Sequence, residues 1–165
     1  MSRPGKRNLI TDVDGISVGN AEDQSARSGS TIILPDEPVV TSVDVRGGAP
    51  GTRDVDALEP GCVVETVQAV ALSGGSVFGF DAASGAASWL SQQGRGVAFG
   101  GATIPVVPSA ILFDFPIGGD RDWGLLPPYR DLGIQACESA GKDFSLGNVG
   151  AGYGATAGSL KGGLG

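Results

Sequence analysis

The sequence contains no histidine among its 165 residues. Without an imidazole, its own side chains cannot build a Ser-His-Asp triad or a histidine-ligated zinc site. Catalysis that involves this chain therefore needs a different base, such as a carboxylate, a lysine or a free α-amino group.

Clusters of basic residues and long apolar runs are also missing. The formal net charge is −7, and no Lys/Arg cluster is available to displace counterions from nucleic acid. No apolar run approaches the ~20 residues that span a bilayer. The opening MSRPGKRN is not followed by the hydrophobic region of a signal peptide. We therefore expect a cytoplasmic protein that binds neither nucleic acid nor a membrane.

Aromatic residues and cysteines are scarce as well. Aromatics make up 6% of the chain, so the core must be built mainly from Val, Ala, Leu and Ile. The two cysteines, Cys62 and Cys137, are far apart in sequence and neither belongs to a C-x-x-C pair. This pattern favours buried free thiols in a reducing compartment over a disulfide.

Glycine, in contrast, is abundant, with 29 residues interleaved among Val, Ile and Leu runs. The usual share is about 7%, so these glycines are expected at tight turns or at close backbone contacts. The densest stretch is GNVGAGYGATAGSLKGGLG, residues 147–165. Its composition predicts a segment whose backbone lies close against another group.

Periodicity predicts an α/β chain without a linker, which is one domain or one piece of a domain over residues 1–165. One helix is expected to end at Gly94 and a second at Gly141, because glycine commonly follows the last residue of a helix. Strands are predicted on either side of Gly15 and at residues 31–34, 39–45, 67–72 and 110–115.

The stretch LSGGSVFGFDAASG, residues 72–85, is predicted to carry a strand into a helix through a glycine turn. Backbone N–H groups of Gly74, Gly75 and Ser76 at such a junction could hold an oxyanion. The alternative is a tight turn in which Ser76 caps the helix. The sequence does not match the G-x-S-x-G nucleophile elbow.

Two further motifs of the glycine-rich segment give only weak indications of function. Residues 150–155 match the loose G-x-G-x-x-G/A pattern, but the preceding residues make a poor buried strand. The acidic residue expected about 20 positions later is also missing. Lys161 precedes Gly162 and Gly163, where an ammonium could stabilise developing negative charge. By itself such a lysine is more often a solvated surface residue.

Five blocks of the sequence together resemble the family of L-aminopeptidase/D-alanyl esterase-amidases. That family includes β-peptidyl aminopeptidases and the nylon-oligomer endo-hydrolase. The resemblance spans nearly the whole chain, with the blocks in the expected order. The blocks are NLITDVDGISVGNAED, VDVRGGAPGTRD, LSGGSVFGFDAASG, AILFDF and GNVGAGYGATAGSLKGGLG.

The resemblance implies a self-processing hydrolase of the N-terminal-nucleophile type with a four-layer α/β/β/α sandwich. Such a precursor cuts itself into an α and a β chain, and the new N-terminal Ser or Thr of the β chain is the nucleophile. The released α-amino group serves as its base, which agrees with the absence of histidine. Residues 1–165 would then be most of the α portion, without the nucleophile. The resemblance implies no metal and no organic cofactor.

The resemblance also assigns site residues, one position at a time. Asn148 and the run that includes Gly150 and Gly152 match family positions near the cleft. The nylon-hydrolase branch has a tyrosine where this chain has Phe113, which is expected to line the pocket without a hydroxyl contact. That branch also has a lysine at the position of Ser159. Either Lys161, two residues on, takes its role, or the role is absent from this chain.

These assignments predict an amide hydrolase subunit that releases small N-terminal residues from peptides, amides or esters. Its expected partners are the β chain, a small peptide or amide substrate, and further αβ units in a homo-oligomer. An ornithine-acetyltransferase-like acyltransferase, a nylon-oligomer hydrolase and a non-catalytic binding module are the alternatives.

Overall fold

The computed structural model describes residues 3–165. Within this range the chain forms nine strands and two α-helices, with 3₁₀ turns between them. The helices are α1 (Asp81–Gln92) and α2 (Tyr129–Glu138). The strands are β1 (Ile16–Asp23), β2 (Ser28–Pro35), β3 (Thr52–Arg53), β4 (Val70–Ser73), β5 (Val97–Phe99), β6 (Ala102–Ile104), β7 (Ser109–Ile111), β8 (Thr156–Ala157) and β9 (Leu160–Lys161).

Five strands form one mixed sheet in the order β1-β2-β4-β7-β3. The β4–β7 pair is parallel, and the other neighbouring pairs are antiparallel. Because parallel neighbours need a crossover connection, the chain between β4 and β7 carries α1. The short hairpins β5–β6 and β8–β9 lie outside this sheet.

Both helices pack on one face of the sheet and on each other, and small residues set their spacing. The core combines Ile32, Leu90 and Leu132 with many alanines. A Cβ at Gly133 of α2 would stand 2.1 Å from the carbonyl oxygen of Ala82 in α1. The sequence therefore brings the helix backbones closer together than larger side chains would allow.

The first predicted helix is confirmed, the second ends earlier than predicted, and one predicted strand is a 3₁₀ turn. The first helix ends before Gly94, whose φ is +70°, as expected for a residue just past a helix. The second helix ends at Glu138, earlier than expected, because Gly141 pairs its backbone with Val18 of β1. The residues before Gly15 form a 3₁₀ turn, Ile10–Asp12, instead of a strand.

The strand predicted at residues 39–45 is wrong for this structure. Only Val39 pairs, through an isolated bridge to Val67. The strand predicted at 110–115 shortens to β7, because the chain turns after Ile111 towards a 3₁₀ turn at Phe115–Ile117. The β5–β6 hairpin was missed, and its strands of three residues are too short for a clear alternation.

The two cysteines are free thiols, but only one is buried. Cys137 lies on α2 and is buried in the hydrophobic core, and this burial raises the pKa of its thiol to about 12. Cys62 is exposed, so the expectation that both thiols are buried is wrong for this residue. Among residues 3–165, neither helix has the length and apolar character needed to cross a bilayer.

Substitution of Gly133 by alanine tests the close helix contact. Alanine favours a helix over glycine by about 1 kcal/mol, yet here its methyl group would overlap a backbone carbonyl. We expect G133A to lower the free energy of unfolding by about 1–3 kcal/mol in chemical denaturation. The control is G48A, whose methyl group would meet open space. An unchanged or higher stability of G133A would contradict the contact.

Thiol labelling with an aromatic disulfide reagent tests the different burial of the two cysteines. In the native protein at pH 8 we expect Cys62 to react and Cys137 to stay protected, because the latter thiol is desolvated and largely un-ionised. Denaturant should release the second thiol. Two equally fast thiols in the native protein would disagree with the packing of α2.

Candidate active site

The glycine-rich segment lies on β1 and β2, on the sheet face opposite the helices. Its 3₁₀ turn, Gly150–Gly152, is held by polar side chains of these two strands. The N–H of Gly150 donates to Glu22 Oε1 at 2.5 Å, and the N–H of Ala151 donates to Thr31 Oγ1 at 3.0 Å. Thr31 Oγ1 in turn donates to Asn20 Oδ1 at 2.7 Å. Side chains from the strands therefore fix the position of the segment.

Glycine is required in this turn because other groups approach its backbone closely. Gly150 has a φ of +50°, and a Cβ there would stand 2.2 Å from Thr31 Oγ1. A Cβ at Gly152 would stand 2.1 Å from the nitrogen of Leu164. The segment also folds back on itself, since Gly147 and Leu164 exchange backbone hydrogen bonds of 2.7 and 2.8 Å. The predicted close backbone contact is confirmed.

A cleft of about 320 Å³ lies between the sheet and the glycine-rich segment. Its walls are mainly apolar side chains and glycine backbone. In residues 3–165, no three His, Cys, Asp or Glu side chains converge to hold a metal ion. The lining residues are Leu72, Ser73, Ala110, Ile111, Leu112, Ala151, Gly152, Ala155, Gly163, Leu164 and Gly165.

Lys161 reaches the edge of this cleft from β9. Its ammonium donates to the carbonyl oxygens of Gly152 at 3.0 Å and Gly162 at 2.7 Å. Since an ammonium has three N–H donors, one donor remains for a further acceptor. Of the residues predicted for the site, the structure brings Lys161 and Gly152 together, whereas Gly150 lies buried behind the cleft wall.

The three amides predicted as an oxyanion site are all used within the chain. The N–H of Gly74 donates to Gly29 O at 2.9 Å, that of Gly75 to Asp114 Oδ1 at 2.9 Å, and that of Ser76 to Leu112 O at 3.0 Å. In this geometry they hold the glycine turn and leave no N–H for an oxyanion.

The alternative role of Ser76 as a helix cap is also wrong. Ser76 has a φ of +53°, and it follows Gly75, which is the N-cap residue of a 3₁₀ turn, Ser76–Phe80. Helix α1 begins directly after this turn, with Phe80 as its N-cap. Neither cap residue makes a side-chain hydrogen bond to the turn or helix that it precedes.

Two other predicted site residues lie outside the cleft. Asn148 is exposed on the turn before Gly150 and does not line the cleft. Phe113 follows the cleft residue Leu112, but its side chain is 60% exposed and packs against Phe115, with ring centroids 5.3 Å apart. Phe113 therefore belongs to a surface cluster of aromatic rings. That cluster also contains Phe78 and Trp123.

Asp114 is a fully buried carboxylate that the sequence reasoning missed. Its Oδ1 accepts from the N–H of Gly75, and its Oδ2 accepts from Ser28 Oγ at 2.6 Å. Ser28 Oγ accepts in turn from the phenol of Tyr129 at 3.1 Å. Burial raises the pKa of the Tyr129 phenol, which therefore stays a hydrogen-bond donor. This network joins β2, α2 and the glycine turn after β4.

Two glycines show how closely the chain surrounds this carboxylate. A Cβ at Gly74 would stand 2.0 Å from Asp114 Oδ2, and one at Gly154 would stand 2.7 Å from it. Asp114 therefore lies where the turn after β4 meets the glycine-rich segment, behind the two walls of the cleft. The sequence does contain a signal for this residue, since Asp114 stands within the apolar run AILFDF. An aspartate buried with such a run needs hydrogen-bond partners from other segments.

Replacement of Asp114 by alanine tests this network. It would leave the N–H of Gly75 and the hydroxyl of Ser28 without a buried acceptor. We expect D114A to lose at least about 2 kcal/mol of stability in chemical denaturation. The matched control is D44A, which removes an exposed aspartate that forms an ion pair with Arg46 and should change stability by less than about 0.5 kcal/mol. Equal effects of the two variants would contradict a structural role for Asp114.

Comparison with known proteins finds a matching family model and similar curated proteins. The model of peptidase family S58 matches residues 8–165. An uncharacterised aminopeptidase of Mycobacterium bovis is 46% identical over 96% of this chain and 47% of its own length. A 6-aminohexanoate-oligomer endohydrolase of a Kocuria strain is 32% identical over 94% of this chain and 41% of its own length.

Solved structures show the same fold. A protein of Pyrococcus horikoshii is 26% identical, with a TM-score of 0.76 over 98% of this chain and 48% of its own. The L-aminopeptidase D-Ala-esterase/amidase of Ochrobactrum anthropi, described as a variant of the Ntn hydrolase fold, has a TM-score of 0.71 at 22% identity. It covers 98% of this chain and 48% of its own.

The chain spans about half the length of the relatives that it matches. Its fold is that of the Ntn hydrolase variant, as predicted. The family match covers all five blocks of the sequence and includes every residue that lines the cleft. This chain therefore belongs to peptidase family S58.

Proposed function

We propose that this chain is most of the α portion of a self-processing amide hydrolase, acting as an aminopeptidase, amidase or esterase. The observation that carries the proposal is the family match over residues 8–165, which includes the cleft. The β portion would begin with the Ser or Thr that attacks the substrate carbonyl. The α-amino group of that residue would take the proton, in agreement with a chain that has no histidine.

Lys161 is the residue of this chain that we assign to the reacting centre. Its ammonium lies at the edge of the cleft, bound to the carbonyl of the lining residue Gly152. Two hydrogen bonds to carbonyl oxygens hold the ammonium in position, so it can stabilise negative charge without a large rearrangement. Gly74, Gly75 and Ser76 would shape the wall through their internal hydrogen bonds.

Asn148 and Phe113 would act at the boundary with the β portion. The amide of Asn148 is exposed on the turn that enters the glycine-rich segment, where it can donate to the nucleophile or the substrate. The exposed ring of Phe113 offers an apolar surface to a substrate side chain. Both proposals depend on the β portion, which would complete the pocket.

The substrate class that we favour is a peptide, amide or ester with a small N-terminal residue. The endohydrolase relative acts on 6-aminohexanoate oligomers. In this chain the phenylalanine at position 113 and the serine at position 159 differ from what the nylon-hydrolase branch carries, and this favours the simpler aminopeptidase reaction. We further propose a homo-oligomer of αβ units in the cytoplasm.

Intact mass and N-terminal sequencing of the purified full-length gene product test the processing. We expect two polypeptides, the second of which begins with Ser or Thr, together with hydrolysis of aminoacyl p-nitroanilides. Alanine in place of that Ser or Thr should leave one uncut chain without activity. A single uncut wild-type chain that is inert would instead support a binding module. Acetyl transfer to ornithine without amide hydrolysis would support an acyltransferase.

Substitution of Lys161 in the same full-length protein tests its catalytic role. Loss of an electrostatic contact to the transition state should lower kcat/KM of K161A by about 10–100-fold, mostly through kcat. K161R should recover part of this loss because it keeps the charge. The control is K142A, which removes another exposed lysine and should stay within about twofold. Equal rates for K161A and K142A would remove Lys161 from the mechanism.

A further inference from the structure

Residues 40–50 form a segment whose sequence suits a strand but whose backbone is unpaired. Alternate positions from 39 to 45 are β-branched, with Val39, Thr41, Val43 and Val45 on one side. Only Val39 pairs, exchanging hydrogen bonds of 3.0 and 2.9 Å with Val67. We call residues 40–50 the strap.

The residues that flank the strap make backbone hydrogen bonds, whereas those of the strap itself do not. At its far end, the carbonyl of Gly51 accepts from the N–H of Ile111 at 2.8 Å, and Thr52 pairs with Ala110. Within the described range 3–165, no backbone–backbone hydrogen bond is made by residues 40–50. Asp44 and Arg46 form an ion pair of 2.7 Å, which fits residues two apart on one face of an extended chain.

The side chains of the strap are unusually apolar for a free segment. Val40 is 83% exposed, and Val43 and Val45 are each close to half exposed. Val40 also lines an open groove of about 450 Å³ together with the loop around residues 57–66. A strand edge with free N–H and C=O groups and exposed valines is a surface that native proteins pair or cover.

We propose that the strap pairs as a β-strand with an extended segment of the complementary portion of the enzyme. The proposal rests on the proposed function, because the β portion supplies that segment. The relatives have about as much sequence again beyond the matched region, which is enough for a second set of strands. A segment of the same precursor also has a higher effective concentration than a second copy of this chain.

The geometry at Val39 indicates which edge of the strap is open. Val39 directs both of its backbone groups towards Val67. In an extended strand, the neighbouring alternate residues Val40, Ser42 and Asp44 direct theirs to the opposite edge. The partner strand lies along that edge, with apolar side chains on the face of Val43 and Val45.

This pairing would connect docking of the complementary portion to the cleft. The strap continues through Gly51 and β3 to β7, and Ala110 and Ile111 of β7 line the cleft. A strand that fixes the strap therefore also fixes one end of the cleft wall. The expected partner is an extended, alternately apolar segment, as in other cases of strand addition.

Hydrogen exchange of the full-length purified protein tests the pairing without a need for activity. We expect the amides of Val40, Ser42 and Asp44 to exchange at least about 100-fold more slowly than those of residues 63–66. The latter belong to a comparable loop in which Val63 is fully exposed. Equally fast exchange in the two segments would overturn the proposal. Protection that disappears when oligomers are diluted to single αβ units would also overturn it, since a second copy would then be the partner.

Proline substitution tests the same edge independently. Proline at position 42 removes one N–H and is not tolerated in a paired strand. We expect S42P to release the complementary portion or to abolish protection of the strap, and the control V63P to behave like the wild type. If S42P does not fold, exchange of the wild type decides the question. An active enzyme with an unprotected strap refutes the pairing alone, and an inert protein with a protected strap refutes the proposed function alone.

Discussion

The buried carboxylate of Asp114 is the contact on which the arrangement of the cleft depends. It joins Ser28 at the start of β2, the glycine turn after β4 and, through Ser28, the phenol of Tyr129 in α2. A buried carboxylate costs free energy unless its oxygens accept hydrogen bonds, so the surrounding segments must converge on it. Gly74 and Gly154 leave the space that this convergence requires.

Glycine has two different roles in this chain. In the turn of Gly150–Gly152 and at Gly133 it allows backbones to touch, and a methyl group would overlap a neighbouring atom. At Gly94 it adopts the left-handed conformation that ends a helix. Residues 150–152 and 154–155 of the glycine-rich segment are therefore buried, whereas residues 156–161 are exposed. The ammonium of Lys161 donates to the carbonyl of Gly152 and so connects β9 to this buried turn.

Structural features that depend on residues near one another in sequence agree with the predictions. Contacts between residues from distant segments do not. Helix α1 and its glycine end followed from spacing within one segment. The oxyanion role of Gly74, Gly75 and Ser76 failed because their N–H acceptors come from other strands and loops. Asp114 was missed for the same reason, as its partner Ser28 lies 86 positions away. The strand predicted at 39–45 has the right pattern but no partner within the described residues.

Four properties of this chain could be derived from its amino-acid sequence without coordinates. They are the absence of an imidazole base, the aliphatic core, the two helices and the five blocks that resemble the S58 family. These properties depend on composition and on spacing within short segments. Other properties needed the three-dimensional packing: Lys161 binds the wall of the cleft, Asn148 and Phe113 lie outside it, and Asp114 lies behind it. Contacts between distant segments depend on strand order and helix packing, which local periodicity does not specify.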